Sequence, residues 1–309
     1  MKPIVTLTLN PAIDESSEAE TVHPTRKIRV TGQRHDPGGG GINVARVVSE
    51  LGRPATSVFL AGGATGPVLK ALLDERGLDT RVVPIAGTTR VSHAVFERNT
   101  GLEYRFVPEG PEVTADEWRA CLAVLEDLDF DYLVASGSLP RGLPDDSYAE
   151  IARLVRRRGG RFVLDTSGAP LAAAVEAGGI ALVKPSLGEF QALVGEKVEE
   201  PEAIEEAAAA LVRARGVDML AVTLGHRGAL FATASGSLRL RPPDVAPKSA
   251  TGAGDSFLGG MVFALAEGHA PDDAFRLGVA AGAAAVLTPG TELCRRDDVW
   301  RLFGTLTTR

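Results

Sequence analysis

The sequence contains little cysteine, and the arrangement of the two cysteines excludes two classes of protein. Cys121 and Cys294 lie far apart in a chain of 309 residues and do not have the spacing of metal ligands. Neither a disulfide-stabilised secreted scaffold nor a cysteine-rich metal site is therefore expected, and the composition is typical of a reducing cytosol. The five histidines also lack ligand spacing.

Positive charge is scarce relative to negative charge. Lysine and arginine together number 33 against 40 aspartate and glutamate residues, which leaves a formal net charge of −7. No stripe rich in lysine and arginine occurs along the chain. Binding of nucleic acid through bulk electrostatics is therefore not expected.

The sequence has no long hydrophobic run. The uncharged stretch at residues 277–291 contains three glycines and a proline and, like the other uncharged stretches, is shorter than the ~20 residues that a helix needs to cross a bilayer. The first residues offer one lysine and a brief apolar run without a small-residue cleavage site. We therefore expect a cytoplasmic protein that does not bind membranes.

Glycine is the residue in excess. The chain has 35 glycines, about 11% against a usual ~7%, and they follow no collagen-like period. Such an excess indicates many tight turns between strands and helices, or backbone that approaches a ligand closely.

Short apolar runs that end in glycine-rich turns alternate with helical periodicity, which predicts parallel βαβ units in an α/β fold. The expected strands are residues 4–9, 56–60, 132–135, 161–164, 180–183 and 219–224. The expected helices include residues 42–51, 67–76 and 256–266.

Two stretches break this alternation. Residues 26–31 resemble a strand with no helix after it, and residues 91–96 and 102–107 flank the hairpin signal Asn99-Thr100-Gly101. Together they predict a small separate sheet. It is interpreted either as a lid over a site or as an extension of a sheet edge.

A cluster of four glycines at residues 38–41 runs directly into a predicted helix containing Asn43. It matches neither the phosphate loop of nucleotide hydrolases nor the dinucleotide fingerprint, and the polar residues 34–37 precede it where a dinucleotide site needs a strand. The cluster is interpreted as backbone that contacts an anionic or hydroxylated ligand; a flexible turn is the alternative.

The sequence Thr-Gly-Ala-Gly-Asp at residues 251–255 opens an apolar helix. Small residues there leave space for a phosphate at the helix N-terminus, where unpaired amides and the helix dipole favour negative charge. Asp255 beside such an anion hole is suited to accept the proton of an attacking hydroxyl. The alternative is an ordinary aspartate N-cap.

Further polar residues follow other predicted strands, at the edge where open parallel sheets bind ligands. Asp14 is a candidate for sugar hydroxyls or simply a turn residue, and polar turns occupy residues 136–138 and 165–168. Lys184 offers a cation for phosphates, and Glu189 a carboxylate for a hydrated Mg²⁺. Residues 224–228 are interpreted as a hairpin or a turn beside a nucleotide.

These motifs resemble those of the PfkB family of ribokinase-like sugar kinases over essentially the whole chain. The matching segments are residues 8–14, 38–46, 61–66, 104–107, 136–140, 251–255 and 290–294. The resemblance implies a Rossmann-like, mostly parallel sheet with helices on both faces, in one domain of residues 1–309. It also implies a small β-lid, inserted at about residues 14–34 and 88–108, that forms a homodimer contact.

The resemblance also assigns roles to individual residues. Asp255 resembles the catalytic base, and the anion hole corresponds to Gly252, Ala253 and Gly254. The sugar-binding positions correspond to Asp14, Gly39, Gly40, Asn43 and Ser138, and the residues that hold the substrate's own phosphate correspond to Lys27, Arg90 and Arg105. The nucleotide and magnesium side corresponds to Lys184, Ser186, Thr223, Gly225, Gly228 and Glu189.

The chain departs from the family pattern at two places. The usual Asn-x-x-Glu reads Ser186-Leu-Gly-Glu189, and Ser249-Ala250 stand where related kinases often carry Asp-Thr before the anion-hole motif. The first change concerns the magnesium ligands, and the second concerns a site for a monovalent cation such as K⁺.

The activity implied by the resemblance is ATP-dependent phosphorylation of the C1 hydroxyl of fructose 6-phosphate, a step of glycolysis, with Mg²⁺ and K⁺ as the expected ions. A 1-phosphofructokinase or tagatose-6-phosphate kinase is the alternative within the family. A catalytically silent sugar-phosphate-binding module is the alternative outside enzymes. A nicotinamide oxidoreductase is disfavoured because the dinucleotide fingerprint is missing.

Overall fold

The computed structural model describes residues 3–306, which form two β-sheets and ten α-helices. The strands are β1 Ile4–Thr8, β2 Ala12–Ala19, β3 Val30–Gly38, β4 Ala55–Gly62, β5 Asp79–Ile85, β6 Arg90–Glu97, β7 Glu103–Phe106, β8 Tyr132–Ser136, β9 Arg161–Asp165, β10 Ile180–Val183, β11 Val217–Thr223, β12 Ala229–Thr233 and β13 Gly236–Leu240. The helices are α1 Gly40–Glu50, α2 Gly66–Asp74, α3 Ala115–Asp127, α4 Ser147–Arg157, α5 Gly168–Ala177, α6 Leu187–Val194, α7 Pro201–Arg215, α8 Ala253–Ala266, α9 Pro271–Ala285 and α10 Arg296–Phe303.

The large sheet has nine strands in the order β13-β12-β11-β10-β9-β8-β1-β4-β5. All neighbours from β5 to β11 pair in parallel, and only β12 and β13 are antiparallel. Parallel neighbours need crossover connections, which the intervening helices supply. The α/β prediction is therefore confirmed, and the polar turns that follow the parallel strands lie along one edge of the sheet.

Two apolar cores, one on each face, bury the large sheet. One core contains residues of α1, α2, α8, α9 and α10, and the other contains residues of α3 to α7. Strand β8 shows why both are needed: Tyr132 and Val134 belong to the first core, whereas Leu133 and Ala135 belong to the second. A strand covered on both faces is apolar at successive positions, which explains its continuous hydrophobic run.

The second sheet has four strands in the order β3-β2-β6-β7 and shares no ladder with the large sheet. The predicted hairpin is confirmed, because β6 and β7 pair antiparallel around residues 98–102. The edge-extension interpretation is wrong, since this sheet is separate. We call these four strands, together with the connection 20–29 between β2 and β3, the lid.

Two local expectations within the lid are wrong. The strand expected at residues 26–31 begins at Val30, because Val30 is the first residue opposite the last residue of β2, Ala19, and the residues before it have no strand to pair with. The glycine cluster does follow a strand, β3, which ends at Gly38. That strand belongs to the lid and not to the parallel sheet, so it does not form the βαβ unit of a dinucleotide site.

The helices predicted around the glycine motifs are confirmed and begin slightly earlier than expected. Helix α1 begins at Gly40, directly after the glycine cluster, and α8 begins at Ala253 within the anion-hole motif. Within residues 3–306 no helix is long and apolar enough to span a membrane.

Candidate active site

The candidate site lies where the lid meets the carboxyl ends of the large sheet and the N-termini of α1 and α8. A narrow cleft there is lined by lid residues together with the loop before α8 and the loop after α9, among them Asp14, Ser92, Arg105, Thr251, Gly290 and Thr291. Residues from distant parts of the chain therefore converge on one cleft. This position is the usual ligand site of an open parallel sheet.

The glycines of residues 38–41 allow polar side chains to come close to the start of α1. A Cβ atom added to Gly38 would overlap the Asp14 carboxylate, and one added to Gly40 would overlap the Ser136 hydroxyl. Gly39 is the N-cap residue of α1. Close packing against polar side chains requires glycine at residues 38 and 40. The alternative that the four glycines are only a flexible turn is therefore not needed.

Asp255 lies in the first turn of α8, next to the free amides of a helix that is buried from Ser256 to Ala266. The N-cap residue of α8, Gly252, has a φ of 76°, in the left-handed region that favours glycine. A side chain there would also collide with Leu293. Gly252 therefore allows the chain to turn sharply into a helix start that contains no side chain larger than alanine before Asp255.

The electrostatic surroundings of Asp255 suit a general base. Burial raises the pKa of its carboxyl to about 6, and the negative charge of Asp165 adds to this shift. A hydrogen bond from Asn43 and the positive charge of Lys184 act in the opposite direction. A base with a pKa near the working pH combines the required protonation state with a strong tendency to accept a proton.

Asn43 links the two glycine motifs. Its Nδ2 donates a hydrogen bond of 2.9 Å to Oδ2 of Asp255, although the two residues are 212 positions apart in the chain. Its Oδ1 accepts a hydrogen bond of 3.1 Å from Nη1 of Arg46. Asn43 and Asp255 stand in separate motifs of the sequence, and the structure brings them into direct contact.

A buried ion pair lies beside the anion-hole glycines. Nζ of Lys184, which is 5% exposed, lies 3.1 Å from Oδ1 of Asp165. Burial alone would lower the Lys184 pKa, but the neighbouring carboxylate of Asp165 outweighs it and raises the pKa. A Cβ on Gly254 would lie 3.5 Å from the same Nζ. A permanent positive charge is thus held next to the N-terminus of α8.

Sequence reasoning gave Asp165 no role. The carboxylate also accepts a hydrogen bond of 3.2 Å from Oγ of Ser136, so it connects the ends of three neighbouring strands, β8, β9 and β10. The available signal was an aspartate at the end of a parallel strand. The lysine that it pairs with lies 19 positions later, directly after the next strand, and no local pattern marks that pairing.

The substrate-binding candidates of the lid lie around Asp14. Arg90 donates hydrogen bonds of 2.8 Å to the carbonyl oxygens of Pro108 and Asn10, and its Nε is buried without a partner. Burial raises the Asp14 pKa, and the charges of Arg105 and Arg90 oppose that shift. Asp14, Arg90 and Arg105 therefore lie close enough together for their charges to interact.

Lys27 and Ser138 have different surroundings. Lys27 is exposed in the connection between β2 and β3, whereas Arg90 and Arg105 lie on the strands β6 and β7. Ser138 accepts a hydrogen bond of 3.3 Å from Asn10, the residue whose carbonyl holds Arg90. The serine therefore belongs to the network at the base of the lid.

The nucleotide-side candidates surround the start of α6. Ser186 is the N-cap of this helix and forms a capping box with Glu189, whose Oε2 accepts hydrogen bonds from the serine amide and hydroxyl. Ser186 also bridges to Thr223 at the end of β11. Gly225 and Gly228 belong to the tight connection between β11 and β12, which confirms the hairpin interpretation and brings the turn beside α6.

The side chains present fit a hydrated metal ion better than a protein cage. In the described part of the chain no group of three or more His, Cys, Asp or Glu side chains is arranged to hold a metal. Mg²⁺ keeps several waters and binds through one or two carboxylates and substrate phosphates. Glu189 uses Oε2 in the capping box, so its Oε1 is the oxygen that remains for such an ion.

Asp255, a carboxyl of raised pKa, and the buried Lys184 flank the open N-terminus of α8, and the lid opposite carries polar and cationic side chains. Fold and site together define a phosphoryl-transfer enzyme. The sequence profile described as pfkB family carbohydrate kinase matches residues 5–298. The chain belongs to this family.

Two kinds of phosphofructokinase are among the similar proteins. The ATP-dependent 6-phosphofructokinase isozyme 2 of Mycobacterium tuberculosis is 44% identical over 303 residues, covering 97% of this chain and 88% of the relative. A 1-phosphofructokinase of Xanthomonas campestris is 35% identical over 274 residues, covering 84% of this chain and 83% of the relative.

Crystal structures of phosphofructokinase-2 from Escherichia coli are similar over 99% of both chains. The structure in complex with potassium has a TM-score of 0.95 at 37% identity, and that in complex with fructose-6-phosphate has a TM-score of 0.93 at 36% identity. A tetrameric inhibited form of the same enzyme also has a TM-score of 0.93.

Proposed function

We propose that this kinase transfers the γ-phosphate of ATP to the C1 hydroxyl of fructose 6-phosphate, giving fructose 1,6-bisphosphate and ADP. The observation that carries the proposal is the position of Asp255. Its carboxylate lies at the open N-terminus of α8, is held by Asn43, and lies within electrostatic range of Asp14 on the lid. The similarity to 6-phosphofructokinases supports the choice of sugar phosphate.

In this mechanism Asp255 accepts the proton of the attacking hydroxyl. Asn43 binds Oδ2 and leaves Oδ1 without a partner among residues 3–306, so that oxygen is available to the sugar. Asp14 and Ser138 would orient the other hydroxyls. The reacting oxygen is then held in position before the proton moves, which converts binding energy into rate.

The helix N-terminus and Lys184 stabilise the negative charge that develops on the transferred phosphoryl group. The residues of the anion hole, Gly252, Ala253 and Gly254, bring backbone amides to the phosphate without steric hindrance. Lys184 already has its charge fixed by Asp165, so it needs no reorganisation during the reaction. Mg²⁺, held by Glu189 and the nucleotide, would neutralise phosphate charge.

The substrate's own phosphate is assigned to Arg90, Arg105 and Lys27. Guanidinium groups bind phosphate oxygens through charge-assisted hydrogen bonds. The Nε of Arg90 is buried without a partner, which favours a ligand at this point. Fructose 1-phosphate and tagatose 6-phosphate carry the same charge, so the similarity to a 1-phosphofructokinase makes them the competing substrates.

We assign the chain as one kinase domain with the lid inserted at about residues 14–34 and 88–108, acting in glycolysis in the cytoplasm. The two cysteines, both free and buried, are consistent with a reducing compartment. A monovalent cation such as K⁺ is assigned to the loops joined by Ser249 Oγ and the Gly290 carbonyl, which are 3.0 Å apart.

A homodimer formed through the lid is supported by exposed apolar surface. Six of the nine exposed large hydrophobic side chains among residues 3–306 lie in the lid or its flanks, and they are Ile28, Val30, Phe96, Leu102, Phe106 and Val107. The concentration of exposed apolar side chains on this one small sheet favours an interaction site there. Light scattering should give a dimer for the wild type and a monomer for Phe106→Ser, whereas Val82→Ser on β5 should remain dimeric.

The test of the catalytic proposal is ADP release on a panel of acceptors: fructose 6-phosphate, fructose 1-phosphate, tagatose 6-phosphate, ribose and adenosine. We expect the highest kcat/KM with fructose 6-phosphate. A higher value with either of the other sugar phosphates would reassign the substrate within the family. No activity on any acceptor, with ATP and Mg²⁺ supplied, would favour a silent binding module instead.

A further inference from the structure

Arg46 donates two hydrogen bonds, and both acceptors are uncharged. It lies on α1 one turn after Asn43, and its Nη1 donates both to Oδ1 of Asn43, at 3.1 Å, and to the carbonyl oxygen of Pro37, at 3.2 Å. Pro37 belongs to β3, so the guanidinium is anchored to the lid strand while it contacts the asparagine. Two separate contacts therefore fix its position.

The chemistry of an asparagine amide makes the first contact directional. A side-chain amide presents an acceptor oxygen on one side and a donor nitrogen on the other, and a rotation of 180° exchanges them. Arginine only donates, and an ionised carboxylate only accepts. With Arg46 bonded to Oδ1, Nδ2 of Asn43 is the atom that faces Asp255, at 2.9 Å.

We propose that Arg46 is a positioning residue for phosphoryl transfer, which holds the Asn43 amide with its nitrogen toward Asp255 and so keeps the base ionised and correctly placed. The inference rests on the proposed function of Asp255 as the base. Arg46 itself touches neither the reacting atoms nor, in this assignment, the sugar.

The charges around the two residues are consistent with this role. Asp255 is influenced by the carboxylates of Asp165 and Asp14, which disfavour its ionised form, and by Lys184 and the Asn43 amide, which favour it. Loss of the amide's donor orientation would remove one of these favourable groups and place an oxygen against the carboxylate. The pKa of Asp255 would then rise further.

Arg46 is not diverted by a competing carboxylate. Asp36, whose charge acts on Arg46, is 3% exposed and is already bound by Arg76 and by the hydroxyl of Thr291. Arg34 also lies 3.7 Å from the same carboxylate. The guanidinium of Arg46 is therefore free to bind Asn43, and the positive charge of Arg46 itself favours the ionised form of Asp255.

A cavity beside Arg46 makes the proposal testable by chemical rescue. Its volume is about 410 Å³, and Arg46, Ser49, Leu78 and Cys294 contribute to its lining. Truncation of Arg46 leaves room for a free guanidinium ion next to Asn43. Ser49→Ala is the matched control, because Ser49 lies one turn later on the same cavity wall and makes no hydrogen bond to Asn43.

The experiment measures kcat against pH for the wild type, Arg46→Ala and Ser49→Ala, with saturating fructose 6-phosphate and ATP. We expect the acid limb to move up by roughly one pH unit in Arg46→Ala, which corresponds to a ~5-fold loss at pH 6 and almost none at pH 8.5. Low concentrations of guanidinium chloride should restore most of the loss at pH 6. Ser49→Ala should match the wild type.

A readout without turnover separates this inference from the proposed function. The carboxyl of Asp255 can be titrated by ¹³C NMR in protein labelled at aspartate, with its signal identified by comparison with Asp255→Asn. A titration that moves up in Arg46→Ala supports positioning even if no sugar phosphate is turned over. If the wild type is active but neither the acid limb nor the titration moves in the variant, Arg46 is only structural.

Arg46→Met covers the case in which Arg46→Ala does not fold. Methionine retains much of the aliphatic volume but offers no donor to Asn43, so the same shift of the acid limb is expected. Arg46→Lys should restore part of it, because an ammonium donates to the same oxygen with less directional control. An Arg46→Met protein that folds and has a wild-type pH profile would overturn the proposal.

Discussion

The floor of the site, which we define as Asp165, Lys184 and Asp255, and the lid above it differ in how far their charges are exposed to water. On the floor, Lys184 and Asp165 form an ion pair with side chains 6% and 15% exposed, and Asp255 lies beside them. On the lid, the ion pair of Arg98 and Glu20 joins side chains that are 48% and 69% exposed. Charges on the floor act in a low-dielectric medium and are strong, whereas those of the lid are screened by water and salt.

This contrast suggests a division of labour. The floor holds the base and the cation in fixed positions before any ligand arrives, which is what transition-state stabilisation requires. The lid offers Arg105 and Lys27, which are exposed until something covers them, and Arg90, whose contacts with two carbonyl oxygens hold it in place. We therefore expect the chemistry to depend on the floor and recognition of the sugar phosphate to depend on the lid.

The largest expected effect comes from breaking the buried pair of the floor. Asp165→Ala leaves the Lys184 charge buried without its partner and should lower the free energy of unfolding by about 3–5 kcal/mol. Urea denaturation measures the change. Arg98→Ala, which removes the exposed lid pair, is the control and should change stability by less than about 0.5 kcal/mol. Equal losses in the two variants would contradict the contrast between floor and lid.

The next effect concerns the base. Asp255→Asn should lower kcat by about 100-fold or more, the usual scale for loss of a general base, while KM for the sugar phosphate changes little. Near-normal turnover in this variant would remove Asp255 from the mechanism.

The same variant should melt at a higher temperature than the wild type at pH 7. Folding raises the Asp255 pKa to about 6, so the folded state binds more protons than the unfolded state between the ordinary aspartate pKa and 6, and ionisation above that range costs stability. Asparagine removes this cost. Calorimetry measures the melting temperature, and a clear decrease would mean that the ionised carboxylate is structurally required.

Within the lid, the two arginines should differ in a way that their surroundings explain. Arg90→Ala should raise KM for fructose 6-phosphate by about 10- to 100-fold, the scale of one or two charge-assisted hydrogen bonds. Arg105→Ala should raise it less, because Arg105 is exposed and pairs only loosely with Glu103, at 3.8 Å. Initial-rate kinetics measures both, and kcat should stay within about 3-fold. An unchanged KM in both variants would refute the assignment of the phosphate site.

The smallest effect is produced by pH alone. Because Asp255 must be ionised to accept a proton and its pKa is about 6, kcat should fall as the pH drops through 6 and should be about 10-fold lower at pH 5 than at pH 8. The measurement uses kcat at saturation, since a free sugar phosphate also titrates near pH 6. A flat kcat between pH 5 and 8 would mean that the proton transfer is not rate-limiting or that the base is another group.

Local patterns predicted most of the large sheet. Strand β10 has the bounds expected from its apolar run, Ile180–Val183, and α1 and α8 follow the glycine motifs. These elements are recognisable because parallel strands buried on both faces are apolar without interruption and end in polar turns. The strands of the lid were harder to predict. The start of β3 is set by the residue that lies opposite the end of its partner strand β2, and the local sequence does not mark that position.

The candidate site was predicted only in part, for a related reason. Asp14, Asn43 and Asp255 stand in recognisable motifs, whereas Arg46 and Asp165 carry no local mark of a role. Their importance lies in contacts made after folding: Arg46 with the Asn43 amide, and Asp165 with both Lys184 and Ser136. A residue that acts through another is invisible to a reading of spacing alone.

The sequence by itself determined the class of fold and the two glycine-rich helix starts, and it supplied the proposal for the base, because backbone propensity and turn chemistry are local properties. Tertiary structure decided that Asn43 meets Asp255 across 212 positions, that Asp165 fixes the charge of Lys184, and that the lid is a separate sheet. Hydrogen bonds and charges depend on distance in space and on burial. Both exist only once the two cores have brought the ends of the strands together.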